Sequence, residues 1–417
     1  MKFIYNLAIQ ALRLFFRLGA FFQFKLKRGL AGRRQSYVKV REAFTLKDKV
    51  IWMHAASLGE YEQGLPVLKK LAQTFSDHKI LITFFSPSGY DNVVRRDRLA
   101  DVVCYLPFDT TREIKDFVSC FNTVLFISVK YEFWYNLLSE LAKKSVPVYV
   151  ISSYFYERQI FFKPYGNWFR KQLKENVSWF FHQNKHSYAL ARTIGLSQSS
   201  IAGDTRFDRV RERASVAVVP DFVSSFATEL PVIIFGSSWE AEEEVGEMLL
   251  QTKTPCKLII APHDLRRVDR IYAKFPNALL FSQAKYLNKD ELERAEVLVV
   301  DNIGYLSTLY AGAQIAVVGG GFHSQGLHNI LEAAVFGIPT LFGNKYTKNP
   351  EADALIEQGG GQSFETTQKL ASYIKMLLKD SKKREEISKN AHTFIESQPE
   401  ATKRIFEHIT ARYNNGI

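Results

Sequence analysis

From residue 49 onward, short runs of β-branched and apolar residues alternate with longer amphipathic stretches, and few folds accommodate that rhythm. Such alternation marks βα units wound around a parallel sheet. Strands are predicted at 50–54, 80–85, 103–106, 124–127, 148–151 and 179–182. A charged stretch after Gly203-Asp204-Thr205-Arg206-Phe207-Asp208 then runs through the basic residues 209–213 to Pro220, and the rhythm restarts. Further strands are predicted at 232–235, 258–261, 278–281, 297–300, 315–318 and 339–342, and a closing amphipathic helix from about Lys382 carries Ile387, Ala391, Phe394 and Ile395. At 417 residues the chain is long enough for two cores. The expected organisation is an N-terminal helix at 1–28, a Rossmann-like domain at 35–208, a linker at 209–229 and a second Rossmann-like domain at 230–417. Two such units are expected to face one cleft across the carboxyl ends of their strands, where doubly wound folds bind ligands.

Lysine and arginine outnumber aspartate and glutamate by 55 to 43. The excess favours phosphates, acidic sugars or an anionic membrane surface. No zinc-finger spacing or aromatic RNP-like strand is present, so nucleic acid is not expected as a partner. Cys104, Cys120 and Cys256 are far apart and odd in number, which points to a reducing compartment and against a CxxC metal site.

In the first 28 residues the only charges are Lys2, Arg13, Arg17, Lys25, Lys27 and Arg28. The longest uncharged run there, 3–12, has ten residues, against about 20 for a membrane span. No small-residue cleavage site follows. With Arg13 and Arg17 four apart on one face and Leu12, Phe15, Phe16 and Phe22 elsewhere, the segment suits a helix lying in a lipid interface or one docked on the protein itself.

The chemistry is expected at strand ends. Strand 50–54 runs into Ala55-Ala56-Ser57-Leu58-Gly59-Glu60, followed by the helical pattern Leu65, Val67, Leu68 and Leu71. Gly59 lets a ligand approach the backbone, and the N–H groups of a helix start attract negative charge. Glu60 therefore has two readings: a general base that takes a proton from an attacking hydroxyl, or a carboxylate that complements the helix dipole. In the second half, Gly319-Gly320-Gly321 is expected to clear space for phosphate or sugar, and Asn329 and Glu332 are expected to share one helix face.

The segment His54-Ala55-Ala56-Ser57-Leu58-Gly59-Glu60 resembles the His-x-x-Ser-x-Gly-Glu motif of the Kdo transferases, which join 3-deoxy-D-manno-octulosonic acid (Kdo) to lipid A precursors. Ser86-Pro87-Ser88-Gly89 and Tyr105-Leu106-Pro107-Phe108-Asp109 are similar to further family segments, as are Gly203 to Asp208 and Ala261-Pro262-His263. The densest likeness is Asp301-Asn302-Ile303-Gly304-Tyr305-Leu306, then the triple glycine, then Gly326-Leu327-His328-Asn329-Ile330-Leu331-Glu332-Ala333-Ala334. This resemblance covers about residues 50 to 365. It implies a GT-B glycosyltransferase fold with a membrane-associated N-terminal helix, on the cytoplasmic side of the inner membrane. It also implies transfer of Kdo from cytidine monophosphate–Kdo (CMP-Kdo) to the lipid A precursor lipid IVA, with inversion and with Glu60 as base. By the same resemblance, Pro262, His263, Ile303, Gly304, Tyr305, Asn329, Ile330, Leu331 and Glu332 contact the cytidine monophosphate. His323 and His328 are either ligand contacts or satisfied loop histidines. No cofactor or metal is implied.

Two positions depart from the family pattern. Where many members read Met-Glu-Thr-Glu-x-Trp, this chain has Val129-Lys130-Tyr131-Glu132-Phe133-Trp134, so a suggested transition-state glutamate is replaced by Lys130. Lys130 is expected to bind a donor carboxylate, to bind an acceptor phosphate, or to pair with Glu132. Arg206 stands where the family has lysine and keeps its charge while changing the donor geometry. The competing readings are another GT-B activity, such as nucleotide-sugar epimerisation or transfer from a uridine nucleotide, and a noncatalytic protein whose basic face holds anionic lipid or nucleic acid.

Overall fold

The computed structural model describes residues 1–95, 99–347 and 349–414; positions 96–98, 348 and 415–417 of the expected domains lie outside them. Each apolar run predicted as a strand forms one. The first unit contains β1 (Lys49–Ala55), β2 (Lys79–Phe84), β3 (Val102–Tyr105), β4 (Asn122–Val129), β5 (Val148–Ser153), β6 (Trp179–His182) and β7 (Ser199–Ile201). They form one parallel sheet in the order β3-β2-β1-β4-β5-β6-β7. Successive side chains leave opposite faces of a strand, so Val50 and Trp52 enter one core and Ile51 and Met53 the other. The Trp52 ring lies 4.8 Å from that of Phe126, and its Nε1–H donates to Thr83 Oγ1 at 2.8 Å.

The second unit contains β8 (Val232–Ser238), β9 (Lys257–Pro262), β10 (Ala278–Leu280), β11 (Val297–Val299), β12 (Ile315–Val318), β13 (Thr340–Gly343) and β14 (Gly361–Phe364), parallel in the order β10-β11-β9-β8-β12-β13-β14. In each sheet the winding reverses once, between β1 and β4 in the first and between β8 and β12 in the second. Loops leaving the carboxyl ends of such a strand pair diverge and open a ligand crevice.

The boundaries differ from those expected. Residues 1–209 and the chain from Pro399 onward form the first unit, and 210–398 the second. The expected second domain of 230–417 therefore begins earlier and ends earlier. The helix Ala401–Asn414 returns to the first sheet because Ile405 and Ile409 are buried among Ile51, Met53 and Leu71, and because the Thr402 N–H donates to Asp208 Oδ2 at 2.6 Å. The expected linker at 209–229 is largely helical, with helices at Thr205–Ser215 and Asp221–Ala227.

The expected helix at 1–28 is two helices, α1 (Lys2–Gly19) and α2 (Phe24–Ala43). Ile9 and Phe16 of α1 are buried beside Phe108, so one face docks on the protein. Phe3, Leu7, Phe15, Phe21, Phe22 and Phe24 remain exposed. Among the described residues no helix is long and apolar enough to cross a membrane.

Candidate active site

In the first unit the reversal between β1 and β4 brings two segments together. After β1 the chain turns at Ala56 and enters α3 (Leu58–Thr74), whose N-cap is Ser57; the Ser57 Oγ accepts the Glu60 N–H at 3.5 Å. The Glu60 carboxylate folds back on the turn and accepts the Ala56 N–H through Oε2 at 2.5 Å. Glu60 is 7% exposed. Burial, and then the charge of Glu132, push its carboxyl up to about 7, against the Ala56 hydrogen bond and the charge of Lys130. The helix-start geometry and the raised proton affinity coexist at Glu60. A carboxyl that titrates near neutrality is matched to general-base work at cellular pH. A Cβ added at Gly59 would meet no protein atom within 4 Å, so the turn faces open space.

Lys130 follows β4 directly and has φ 64°, a left-handed conformation rarely taken by a lysine. Its N–H donates to Ile151 O at 2.9 Å, which fixes the backbone there. The next residues carry Glu132, whose Oε2 accepts the Trp134 Nε1–H at 3.0 Å. Glu60, Lys130 and Glu132 thus form one electrostatic group.

Arg206 is placed against Asp204 instead, with Nε donating to Oδ2 at 2.8 Å and the terminal nitrogen 2.7 Å from the same oxygen. It lies in the first turn of the helix Thr205–Ser215, anchored by Thr205 Oγ1 at 2.9 Å from Ser152 Oγ at the end of β5.

In the second unit, the predicted residues fall into two groups and an exposed turn. His263, just after β9, stacks on Trp239 with centroids 4.7 Å apart and lies 4.5 Å from the His328 ring. Trp239 also stacks on His323 at 4.4 Å and donates its Nε1–H to His328 Nε2 at 3.4 Å. Burial, helped by His263, lowers His328 to about 4, so it is neutral at pH 7 and accepts this bond. His323 and His328 are therefore both engaged with Trp239. Trp239 escaped the sequence reading, because a tryptophan after a strand carries no local mark of what will stack on it.

Asn329 and Glu332 form the second group: Asn329 Nδ2 donates to Glu332 Oε1 at 3.3 Å, and Asn329 Oδ1 accepts the Leu331 N–H at 3.2 Å. Arg213, previously read as part of a linker, lies 3.6 Å from Glu332. The side chains of Ile330 and Leu331 are fully buried, so only their backbone groups can serve a ligand. Ile303 and Tyr305 are exposed on a turn that requires Gly304, with φ 106° and no protein atom near its would-be Cβ.

The triple glycine differs from expectation. A Cβ on Gly319 would strike the Ser237 carbonyl oxygen, and one on Gly321 would lie 2.5 Å from the Gly343 N. The glycines let the ends of β8, β12 and β13 pack backbone to backbone rather than clearing space for a ligand. Gly320 offers its N–H to Glu242 Oε1 at 3.1 Å, and Glu242 Oε2 accepts the Trp239 N–H at 2.9 Å. One buried carboxylate thereby ties the glycine loop to the aromatic stack.

A family profile described as 3-deoxy-D-manno-octulosonic-acid transferase (kdotransferase) matches residues 28–209. A 3-deoxy-D-manno-octulosonic acid transferase from Aquifex aeolicus is 26% identical over 333 residues, covering 79% of this chain and 86% of that protein. The chain is thus similar to Kdo transferases over most of its length. This chain is a glycosyltransferase. A bifunctional glycosyltransferase/methyltransferase from Fusobacterium nucleatum is 25% identical over 357 residues; the match covers 82% of this chain and 55% of that protein, so this chain spans about half its length. Among solved structures, the UDP-GlcNAc 2-epimerase from Neisseria meningitidis superposes with a TM-score of 0.57 at 17% identity, over 87% of this chain and all of that one, which is a likeness of fold.

Proposed function

We propose that this glycosyltransferase moves Kdo from CMP-Kdo to the lipid A precursor lipid IVA, with inversion at the anomeric carbon. The observation that carries the reading is a buried glutamate with its carboxyl near 7, at the strand end where the family motif lies. Glu60 takes the proton of an acceptor hydroxyl while that oxygen bonds to the anomeric carbon. The bond from that carbon to the phosphate oxygen breaks, and cytidine monophosphate leaves with its electrons. The second unit holds the nucleotide through Pro262, His263, the turn Ile303-Gly304-Tyr305, the backbone of Ile330 and Leu331, and the side chains of Asn329 and Glu332. Lys130 and Arg206 supply positive charge for the acidic sugar and the departing phosphate, Arg206 by leaving Asp204.

The exposed apolar side chains of α1 and of the turn to α2, with Lys25, Lys27 and Arg28 beside them, support a lipid surface as the place of work. That surface is the cytoplasmic face of the inner membrane. The test supplies a CMP-Kdo generating system and tetraacylated lipid A precursor to the full chain and weighs the products. Each added Kdo appears as a fixed mass increment, and no addition to any lipid A precursor sinks the reading. Thermal protection by a uridine nucleotide in place of a cytidine nucleotide would favour the epimerase-like alternative.

A further inference from the structure

Three tyrosines at the carboxyl end of the first sheet have no part in the chemistry assigned so far. β1, β4 and β5 are neighbours there, with His54 opposite Ser128 and Val129 opposite Ile151, so the residues that follow them emerge side by side. Glu60 follows β1, Tyr131 follows β4, and Tyr154 and Tyr156 follow β5. The Tyr131 and Tyr156 rings meet edge to face with centroids 6.4 Å apart, and Tyr154 continues the row 6.3 Å from Tyr156. Tyr131 is 40% exposed and Tyr156 39%. Elsewhere in this unit tyrosine hydroxyls are engaged: Tyr5 donates to Asp109 Oδ2 at 2.6 Å, and Tyr37 to the Glu113 carbonyl oxygen at 2.8 Å. Among the described residues no protein group bonds to the hydroxyl of Tyr131, Tyr154 or Tyr156. Adjacent exposed rings at a ligand-bearing strand end mark a binding surface.

The row is held from behind. The Phe133 N–H donates to Tyr131 O at 2.9 Å, and the Phe133 ring stacks on the buried Phe155 at 5.9 Å. The Tyr156 N–H donates to Gln159 Oε1 at 3.2 Å. Phenylalanines thus anchor both loops in the core while the tyrosines beside them face outward, and a surface fixed in advance loses little freedom when a ligand lands on it. Charge selects what can lie there. Burial, then the charge of Glu60, then Tyr156 and Glu132, raise the Tyr131 phenol above its ordinary value, so the ring stands in the field of both carboxylates and keeps its hydroxyl hydrogen. Two carboxylates against the one ammonium of Lys130 disfavour a sugar that brings its own carboxylate. A neutral pyranose fits: its C–H face complements the electron-rich face of an aromatic ring, and its hydroxyls complement the phenols.

We propose that Tyr131 and Tyr156 form a stacking platform for a pyranose ring of the acceptor, which lays the acceptor hydroxyl against Glu60. The proposal rests on Glu60 being the base, because a base must reach the hydroxyl it deprotonates and the ring bearing that hydroxyl then lies beside it. Tyr131 stands where many members of the family have threonine, so the platform is a specificity device of this chain rather than of the motif.

The first measurement is independent of catalysis. The full chain is mixed with methyl N-acetylglucosaminide, a neutral pyranoside, and the aromatic protons of the protein are saturated while the sugar is observed by NMR. Saturation is expected to reach the ring C–H protons of the sugar, to vanish when the 19 tyrosines are ring-deuterated, and to fall about fivefold or more in Tyr131→Leu. The methyl glucuronide, which adds a carboxylate, should receive less. No transfer to the ring C–H protons, transfer that survives tyrosine deuteration, or equal transfer in Tyr131→Leu overturns the platform. The second measurement is transfer to the lipid acceptor. Tyr131→Leu is expected to raise the acceptor KM about tenfold with the donor KM little changed, and Tyr131→Phe, which keeps the ring, to recover most of that loss. A raised donor KM with an unmoved acceptor KM would give the rings to the donor sugar and overturn the proposal. If the parent chain adds no Kdo to lipid A precursor, the function reading fails while the NMR contact is decided by itself, so the two failures are distinguishable.

Discussion

Replacing Glu60 by glutamine is expected to make the protein more stable and the enzyme inactive, with the gain appearing only above the carboxylate range. A carboxyl whose folded midpoint is raised from 4.5 to about 7 is ionised in the unfolded chain before it is ionised in the native one. The native state therefore binds the extra proton, and stability falls as pH rises from 4.5 toward 7. At ~1.4 kcal/mol for each tenfold in proton affinity, the penalty carried by the parent above pH 7 is on the order of 3 kcal/mol. Glutamine keeps an oxygen to accept the Ala56 N–H, has nearly the same shape and never ionises. Near pH 4.5 parent and variant should melt together. At pH 8.5 the variant should melt higher by roughly 6 to 12 °C, given about 2–4 °C per kcal/mol in a unit of this size. Thermal unfolding at both pH values and transfer measured on the same samples complete the assay. Equal melting at pH 8.5 would show that Glu60 is not held against its preference for ionisation. Parent-like transfer by the stabilised variant would remove it from the base role.

Other consequences are as direct. Lys130→Gly relieves a left-handed lysine, a gain of up to about 1 kcal/mol in unfolding, and removes a cation that favours ionised Glu60, so the acid limb of the pH–rate profile should move upward. Trp239→Leu removes two ring stacks worth ~1 kcal/mol each, and the donor KM should rise about tenfold with a smaller change in kcat. Gly319→Ala drives a methyl group into the Ser237 carbonyl and should cost more than about 3 kcal/mol, seen as protease sensitivity of residues 210–398. Phe21→Ser with Phe22→Ser removes two nearly fully exposed rings, and sedimentation with anionic vesicles should drop while transfer to detergent-dispersed acceptor is kept.

The strands were legible because they are buried on both faces and so read as continuous apolar runs, as Val232 to Phe235 does. Strands β7, with Ser199 and Ser200, and β14, with Gln362 and Ser363, were not expected, since short polar edge strands look like loops. The pattern of Ile387, Ala391, Phe394 and Ile395 is the buried face of the helix Ser381–Glu396 in the second unit, and the separate helix Ala401–Asn414 that returns to the first unit was not expected. Glu60 was legible as a carboxylate at a helix start. Its raised proton affinity was not, because the charge that helps to lift it comes from Glu132, on a different strand end. The glycines were recognised and their purpose mistaken, since a bare sequence cannot tell space kept for a ligand from space taken by a neighbouring strand.

The return of the chain at Pro399 makes the second unit an insertion, entered and left at two points of the first unit. Those points are neighbours, because Asp208, just before the exit, accepts the N–H of Thr402, just after the re-entry. The first unit is thus a domain whose own ends meet around a grafted cassette. A short linker in place of 210–398 would reseal it without disturbing the strand end that carries Glu60.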